Sequence, residues 1–386
     1  MTTSLHVQSM IRAAEQATGL SDWGGELFRE PFEVLIRDLN ETANLTALGE
    51  QRAYRRLFDN LCTRLRLVED RKRFPGIAAE TIRQPIFVTG LPRAGTTFFH
   101  NLLAADPVNR SPVTWEIMYP SPPPEEATYN DDPRIAQAQA AMDFEGFMQP
   151  QLQAIHPFDA LRPEECNFIW ELSFITVNYT AWWEVPNYRK LISSMDFRAV
   201  YEEEKQVLQH LQHRFKRERW VLKTPAHMKT LGQLLEVFPD ACLVQCHRDP
   251  AKVLPSLSNN LAVWRKTFSD MVPAGAFGML ELQAEGLRNV AEFRAQPRYA
   301  AQFFDAHYLD VQADPIAVLK KAYAHFGLSL DAARETVIRD WMQHDRDGHA
   351  KGLKHTYDMN DFGLDYAQID RVLGDYIRDS RVQLER

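Results

Sequence analysis

Chemistry is first legible between Pro85 and His100. Pro85-Ile86-Phe87-Val88-Thr89-Gly90-Leu91-Pro92-Arg93-Ala94-Gly95-Thr96-Thr97-Phe98-Phe99-His100 reads as a buried strand, a tight loop and a first helical turn. Gly90 and Gly95 let the backbone turn its amides inward, and a helix opening at Thr96 and Thr97 adds the positive end of its dipole. Pro92, Arg93, Ala94, Gly95, Thr96 and Thr97 thus form a cradle for an oxyanion such as phosphate. The interval from Gly90 to Gly95 fits the first half of G-x-x-x-x-G-K-[ST], but Thr96 stands where the lysine belongs. A loop that hydrolyses ATP or GTP needs that lysine on the β,γ-phosphates. Here the cation is Arg93, inside the loop, and this departure is informative.

Gly90-Leu91-Pro92-Arg93-Ala94-Gly95-Thr96-Thr97 resembles the 5′-phosphosulfate loop of the sulfotransferases that use 3′-phosphoadenosine 5′-phosphosulfate (PAPS), in its bacterial-type form P-R-[SA]-G-T-T. The resemblance implies further sites. An arginine ending a strand and a serine eight positions later bind the 3′-phosphate in that family, and Arg248 and Ser256 have this spacing. A guanidinium forks onto phosphate and a hydroxyl donates from the side. His307-Tyr308-Leu309-Asp310 with Asp314-Pro315 resembles the segment whose tyrosine lies near the adenine. His349-Ala350-Lys351-Gly352-Leu353-Lys354-His355 resembles the basic-glycine loop over the 3′-phosphate, with Ala350 in the arginine position; Lys351, Gly352 and Lys354 are the implied contacts. Lys223 matches the family's lysine at the end of the second core strand and, with Arg93, would neutralise charge on the sulfate and leaving phosphate. The base is open. One branch uses a histidine two positions after the lysine, whereas here His227 follows by four. Other branches use a glutamate shortly after the glycine-loop helix, which points to Glu116, and His156 is a third candidate.

The elements that must hold these residues are those of an α/β protein: a three-layer, P-loop-like domain with a central parallel sheet and an N-terminal helical extension. Residues 85–90, 220–225 and 241–248 read as neighbouring core strands. Helical spacing of Met228, Leu231, Leu234, Leu235 and Phe238 links the last two as a βαβ unit. Asp249-Pro250 is an N-cap and first-turn pair for the next helix. Residues 1–80 read as helices, around Ile11–Leu20, Phe28–Leu39 and Tyr54–Leu67, with a packing, lid or oligomer role; residues 81–386 form the α/β domain. Residues 107–124 are proline-rich, and an aromatic helical insert spans about 131–217. Most of its rings belong to a core, yet such an insert is also where an apolar acceptor would be enclosed. Within it lie His156-Pro157 and Pro163-Glu164-Glu165, the latter fitting a helix start, and Glu202-Glu203-Glu204, which reads as a solvated helix face.

The chain has 386 residues, 45% hydrophobic and 25% charged, ordinary for a globular protein. A net charge of −8 argues against a general nucleic-acid or anionic-membrane binder, and no apolar run reaches a membrane span of about 20 residues. Met1-Thr2-Thr3-Ser4-Leu5-His6 shows no signal-peptide pattern, and Cys62, Cys166, Cys242 and Cys246 fit neither a zinc site nor a disulfide framework, so a reduced cytoplasmic setting is expected. Histidines and aspartates at 344–355 match no metal-ligand spacing. The resulting expectation is a sulfotransferase moving a sulfuryl group from PAPS to a hydroxyl of a small, partly apolar acceptor, with a homo-oligomer compatible. The alternatives are a P-loop kinase and a non-catalytic nucleotide-binding or scaffold protein.

Overall fold

Ile86, Phe87 and Val88 are fully buried, and the sheet extends to both sides of them. A computed structural model describes residues 5–270, 279–349 and 359–386. Its chain divides into two compact units: residues 1–82, 112–216 and 261–273, and residues 83–111, 217–260 and 274–386. The aromatic insert therefore belongs with the N-terminal helices.

The second unit holds a five-stranded sheet: β1 (Ile86–Gly90), β2 (Asn109–Arg110), β3 (Arg219–Lys223), β4 (Cys242–His247) and β5 (Phe303–His307), in the order β2-β3-β1-β4-β5. Every pairing is parallel, with Val88 opposite Lys223 and Gly90 opposite Cys246. All residues of β1 and β4 are buried, which is why these strands read as continuous apolar runs rather than alternating ones. The three expected strands are neighbours, as their sequence implied. β3 and β4 do not pair with each other, however: the crossover between them passes β1, which lies in the middle. From β1 the chain moves to the β3 side and from β4 to the β5 side, so the topology reverses between β1 and β4. Open α/β sheets bind ligands in the crevice at such a reversal, outside the carboxyl ends of the strands.

The helical unit contains Val7–Thr18, Arg29–Glu41 and the long helix Ala47–Arg73, capped by the Thr46 hydroxyl, which accepts from the Gly49 amide. Its interior is aromatic. Phe147, Phe158, Trp182 and Trp264 pack with ring centroids 5.0–5.6 Å apart, so these rings are core. Arg56 is buried among Phe147, Phe168 and Trp182 and donates to Glu171 at 2.7 Å and Glu145 at 3.3 Å. Removing one member of such a buried ion cluster costs about 3–5 kcal/mol, because the remaining charge is left uncompensated.

The Glu202-Glu203-Glu204 run is not a solvated face. On the helix Arg198–Gln212, Glu204 shares the buried side with Val200, Tyr201, Val207, Leu208 and Leu211 and accepts from the Trp170 indole at 2.7 Å. Burial pushes its carboxyl up to about 8. Glu203 pairs with Arg64. All four cysteines are buried and none is in a disulfide. No helix among the described residues is long and apolar enough to cross a membrane.

Candidate active site

The loop from β1 to the helix Thr96–Ala104 has the backbone its sequence demands. Gly90 lies at φ +125°, and a Cβ there would fall 2.3 Å from the Cys246 carbonyl oxygen, so only glycine fits. Gly95, at φ +87°, precedes the first helical residue. Between them Arg93 adopts φ +68°, a left-handed conformation that costs a non-glycine residue about 1–3 kcal/mol. Strain of this kind persists where the surrounding structure enforces it, and here it turns the Arg93 carbonyl and side chain to separate partners.

Those partners are the arginine and serine with the phosphate-site spacing. Arg248 Nη1 donates to the Arg93 carbonyl at 3.3 Å, and Arg93 Nε donates to Ser256 Oγ at 3.1 Å. The Arg248 guanidinium lies 3.8 Å from the centre of the Tyr308 ring, whose edge lies beside Gly95. Arg248 directly follows β4, and Ser256 sits on the helix Pro250–Lys266, whose start is fixed by Asp249 accepting from the Ala251 amide. Arg93 and Ser256, 163 positions apart in the chain, thus meet in one cluster with Arg248.

Lys223 closes β3. It is 1% exposed, and its Nζ donates to Thr97 Oγ1 at 3.2 Å, so its charge lies over the first turn of the glycine-loop helix. Thr89 Oγ1 donates to the Thr224 carbonyl, tying the carboxyl ends of β1 and β3. Three cations, Arg93, Lys223 and Arg248, therefore serve one cradle in a protein that is acidic overall. Such an arrangement stabilises charge gathering on a transferring group and its leaving oxygen.

The candidate bases are differently placed. His227 lies on the short 3₁₀ turn Pro225–Lys229 rather than on the α-helix expected from 227 to 238, which begins at Leu231. The turn points the imidazole inward. The ring is fully buried, edge-on to Phe87 at 5.0 Å, and burial lowers its pKa to about 3. Glu116 and His156 belong to the helical unit. Glu116, on the helix Thr114–Met118, is fully buried and accepts from the Val113 amide at 3.3 Å. His156 Nε2 lies 3.0 Å from both carboxylate oxygens of Glu164, so two residues singled out separately in the sequence form one pair. Lys351, Gly352 and Lys354 lie outside the described residues.

One contact had no signal in the sequence. The Glu385 carboxylate accepts from Arg248 Nε at 2.8 Å and Nη2 at 3.2 Å. A carboxylate thus occupies the Arg248 fork, the one that the resemblance assigns to the 3′-phosphate.

A parallel sheet with an oxyanion cradle at its topological reversal is the frame of a P-loop-like protein, and the arginine in the loop and the lysine on the neighbouring strand match the sulfotransferase resemblance. The chain belongs to the sulfotransferase family, whose model matches residues 85–332. It is 26% identical over 276 residues to the omega-hydroxy-beta-dihydromenaquinone-9 sulfotransferase of Mycobacterium tuberculosis and to that of Mycobacterium bovis. The match covers 65% of this chain and 65% of each relative's length. Among solved structures, the sulfotransferase STF1 of Mycobacterium tuberculosis superposes with a TM-score of 0.82 at 29% identity, covering 96% of this chain and 99% of that one. The sulfotransferase STF9 of Mycobacterium avium gives a TM-score of 0.88 at 25% identity, covering 100% and 98%. Both likenesses run through the helical unit as well as the sheet.

Proposed function

We propose that this protein transfers a sulfuryl group from PAPS to a hydroxyl of a small, partly apolar acceptor. The observation that carries the reading is the convergence of Arg93, Lys223, Arg248 and Ser256 on the glycine loop. When bound, PAPS supplies a sulfuryl group on a phosphosulfate anhydride. Loop residues 92–97, with the Arg93 guanidinium, would hold the 5′-phosphosulfate, and Arg248 and Ser256 would hold the 3′-phosphate. Tyr308 stacks beneath Arg248 and keeps its fork in place; the resemblance assigns Lys351, Gly352 and Lys354, outside the described residues, to the same phosphate. Lys223, over the first turn of the helix, stabilises negative charge on the leaving phosphate. Positioning and charge stabilisation supply most of the rate, as in phosphoryl transfer.

For the base we favour Glu116 over His227. An imidazole that burial keeps neutral down to about pH 3, packed against Phe87, is a poor proton acceptor for an incoming hydroxyl. His156, already paired with Glu164, is the third choice. The acceptor's apolar character agrees with the name of the mycobacterial relatives, whose acceptor is a hydroxylated menaquinone derivative.

Calorimetry with adenosine 3′,5′-bisphosphate tests the cofactor assignment. Arg248→Ala should weaken binding about 10- to 150-fold, the worth of a charge-assisted contact. Unchanged affinity refutes it.

A further inference from the structure

We propose that Glu385 is an internal competitor for the 3′-phosphate, and that it tunes the protein's affinity for nucleotides carrying that group. The inference rests on the assignment of Arg248 to the 3′-phosphate. Glu385 meets Arg248 through both carboxylate oxygens, in the two-point geometry that a guanidinium also offers to phosphate. The pair is screened from solvent, with side chains 22% and 18% exposed.

The segment after the helix Tyr366–Asp379 is pinned so as to deliver this carboxylate. Val382 is buried, and Gln383 Nε2 donates to Asp310 Oδ1 at 2.9 Å. The Glu385 amide donates to Asp249 Oδ2 at 2.9 Å, while Asp249 Oδ1 receives the Ala251 amide. Arg386 pairs with Asp370. Asp249, next to Arg248 in sequence, therefore joins the strand-to-helix turn of the phosphate site to the segment that covers it. Every anchor except the Glu385 carboxylate itself leaves Arg248 untouched. The carboxylate can withdraw while the segment stays attached.

A 3′-phosphate dianion must displace one carboxylate to take the fork, so part of its attraction to Arg248 is spent in breaking the existing pair. A nucleotide with a 3′-hydroxyl has no charge with which to do so and leaves Glu385 in place. Glu385 thus lowers affinity for the cofactor and for its bisphosphate product together, which favours release of product from the site.

The test measures adenosine 3′,5′-bisphosphate and 5′-AMP binding to the full chain and to its Glu385→Gln and Arg248→Ala variants. Glu385→Gln keeps the side-chain size and removes the charge. It should tighten bisphosphate binding about 3- to 30-fold, the range of a partly buried ion pair, and leave 5′-AMP binding unchanged. Unchanged or weaker bisphosphate binding in Glu385→Gln, while Arg248→Ala weakens it, overturns the competitor role and spares the phosphate assignment. Unchanged binding in Arg248→Ala overturns the phosphate assignment itself. Equal tightening toward 5′-AMP also overturns the proposal, since it would mean Glu385 repels the whole nucleotide rather than competing for one group.

Discussion

Replacing Lys223 by Met should move turnover and stability in opposite directions. The side chains are similar in length, and the site is 1% exposed at the end of a central strand, so methionine fills the space. What is lost is a charge aimed at the first turn of the glycine-loop helix, where Nζ reaches Thr97 at 3.2 Å. If that charge stabilises the leaving phosphate, its loss resembles removal of one oxyanion-hole donor, about 10²- to 10³-fold in turnover, or about 2.7–4 kcal/mol. The same change relieves the cost of keeping an ammonium out of water. An apolar side chain of matching length does not carry that cost. The melting temperature should therefore hold or rise by a few degrees. The assay follows release of adenosine 3′,5′-bisphosphate from saturating PAPS with a panel of phenols and long-chain alcohols, beside a thermal melt. Normal turnover would refute the charge role. A parallel fall in turnover and melting temperature would reassign Lys223 to holding the loop.

Two further outcomes follow from the same geometry. Glu116→Gln should cut turnover about 10²- to 10⁴-fold with bisphosphate affinity intact, whereas His227→Leu should keep turnover within about threefold; the reverse pattern would restore His227 as the base. Glu204→Gln tests the buried carboxyl by thermal melts across pH. The folded state holds the Glu204 proton up to about 8, while the unfolded chain releases it near 4.5, so its contribution is full below 4.5 and declines as pH rises toward 8. That gap corresponds to at most about 5 kcal/mol, so the variant should be markedly more stable than the parent at pH 8 and nearly equal to it at pH 4.5. An unchanged difference across that window would mean that Glu204 does not titrate there.

The parts legible in the sequence were those set by short-range spacing. Gly90 and Gly95 announce a backbone that only glycine tolerates, and the eight-residue step from Arg248 to Ser256 survives folding because the helix carrying Ser256 begins two residues after Arg248. β2 and β5 were missed for opposite reasons. β2 has two residues, too few for any pattern, and β5 lies at the sheet edge with three of its five residues only half-buried. The run of three glutamates hid a 3.6-residue period that buries the third against Trp170. His227 was expected to face the cradle one turn after Lys223, but Pro225 starts a 3₁₀ turn, and that local choice decides which way the ring points. Glu385 meets Arg248 across 137 positions, and no local pattern foretells such a contact. Nor does composition reveal that the aromatic insert packs with helices more than 50 residues upstream of it.

The central claim is that the cradle transfers a sulfuryl group and needs only its own cations to do so. Radiolabelled PAPS, incubated with the protein, EDTA and the acceptor panel, tests it directly, with labelled ATP and Mg²⁺ run in parallel. The account predicts a sulfate ester formed in step with adenosine 3′,5′-bisphosphate, undiminished by EDTA, and no phosphate transferred from ATP. Phosphate transfer from ATP, or tight PAPS binding with no sulfate ester formed from any acceptor, would contradict it.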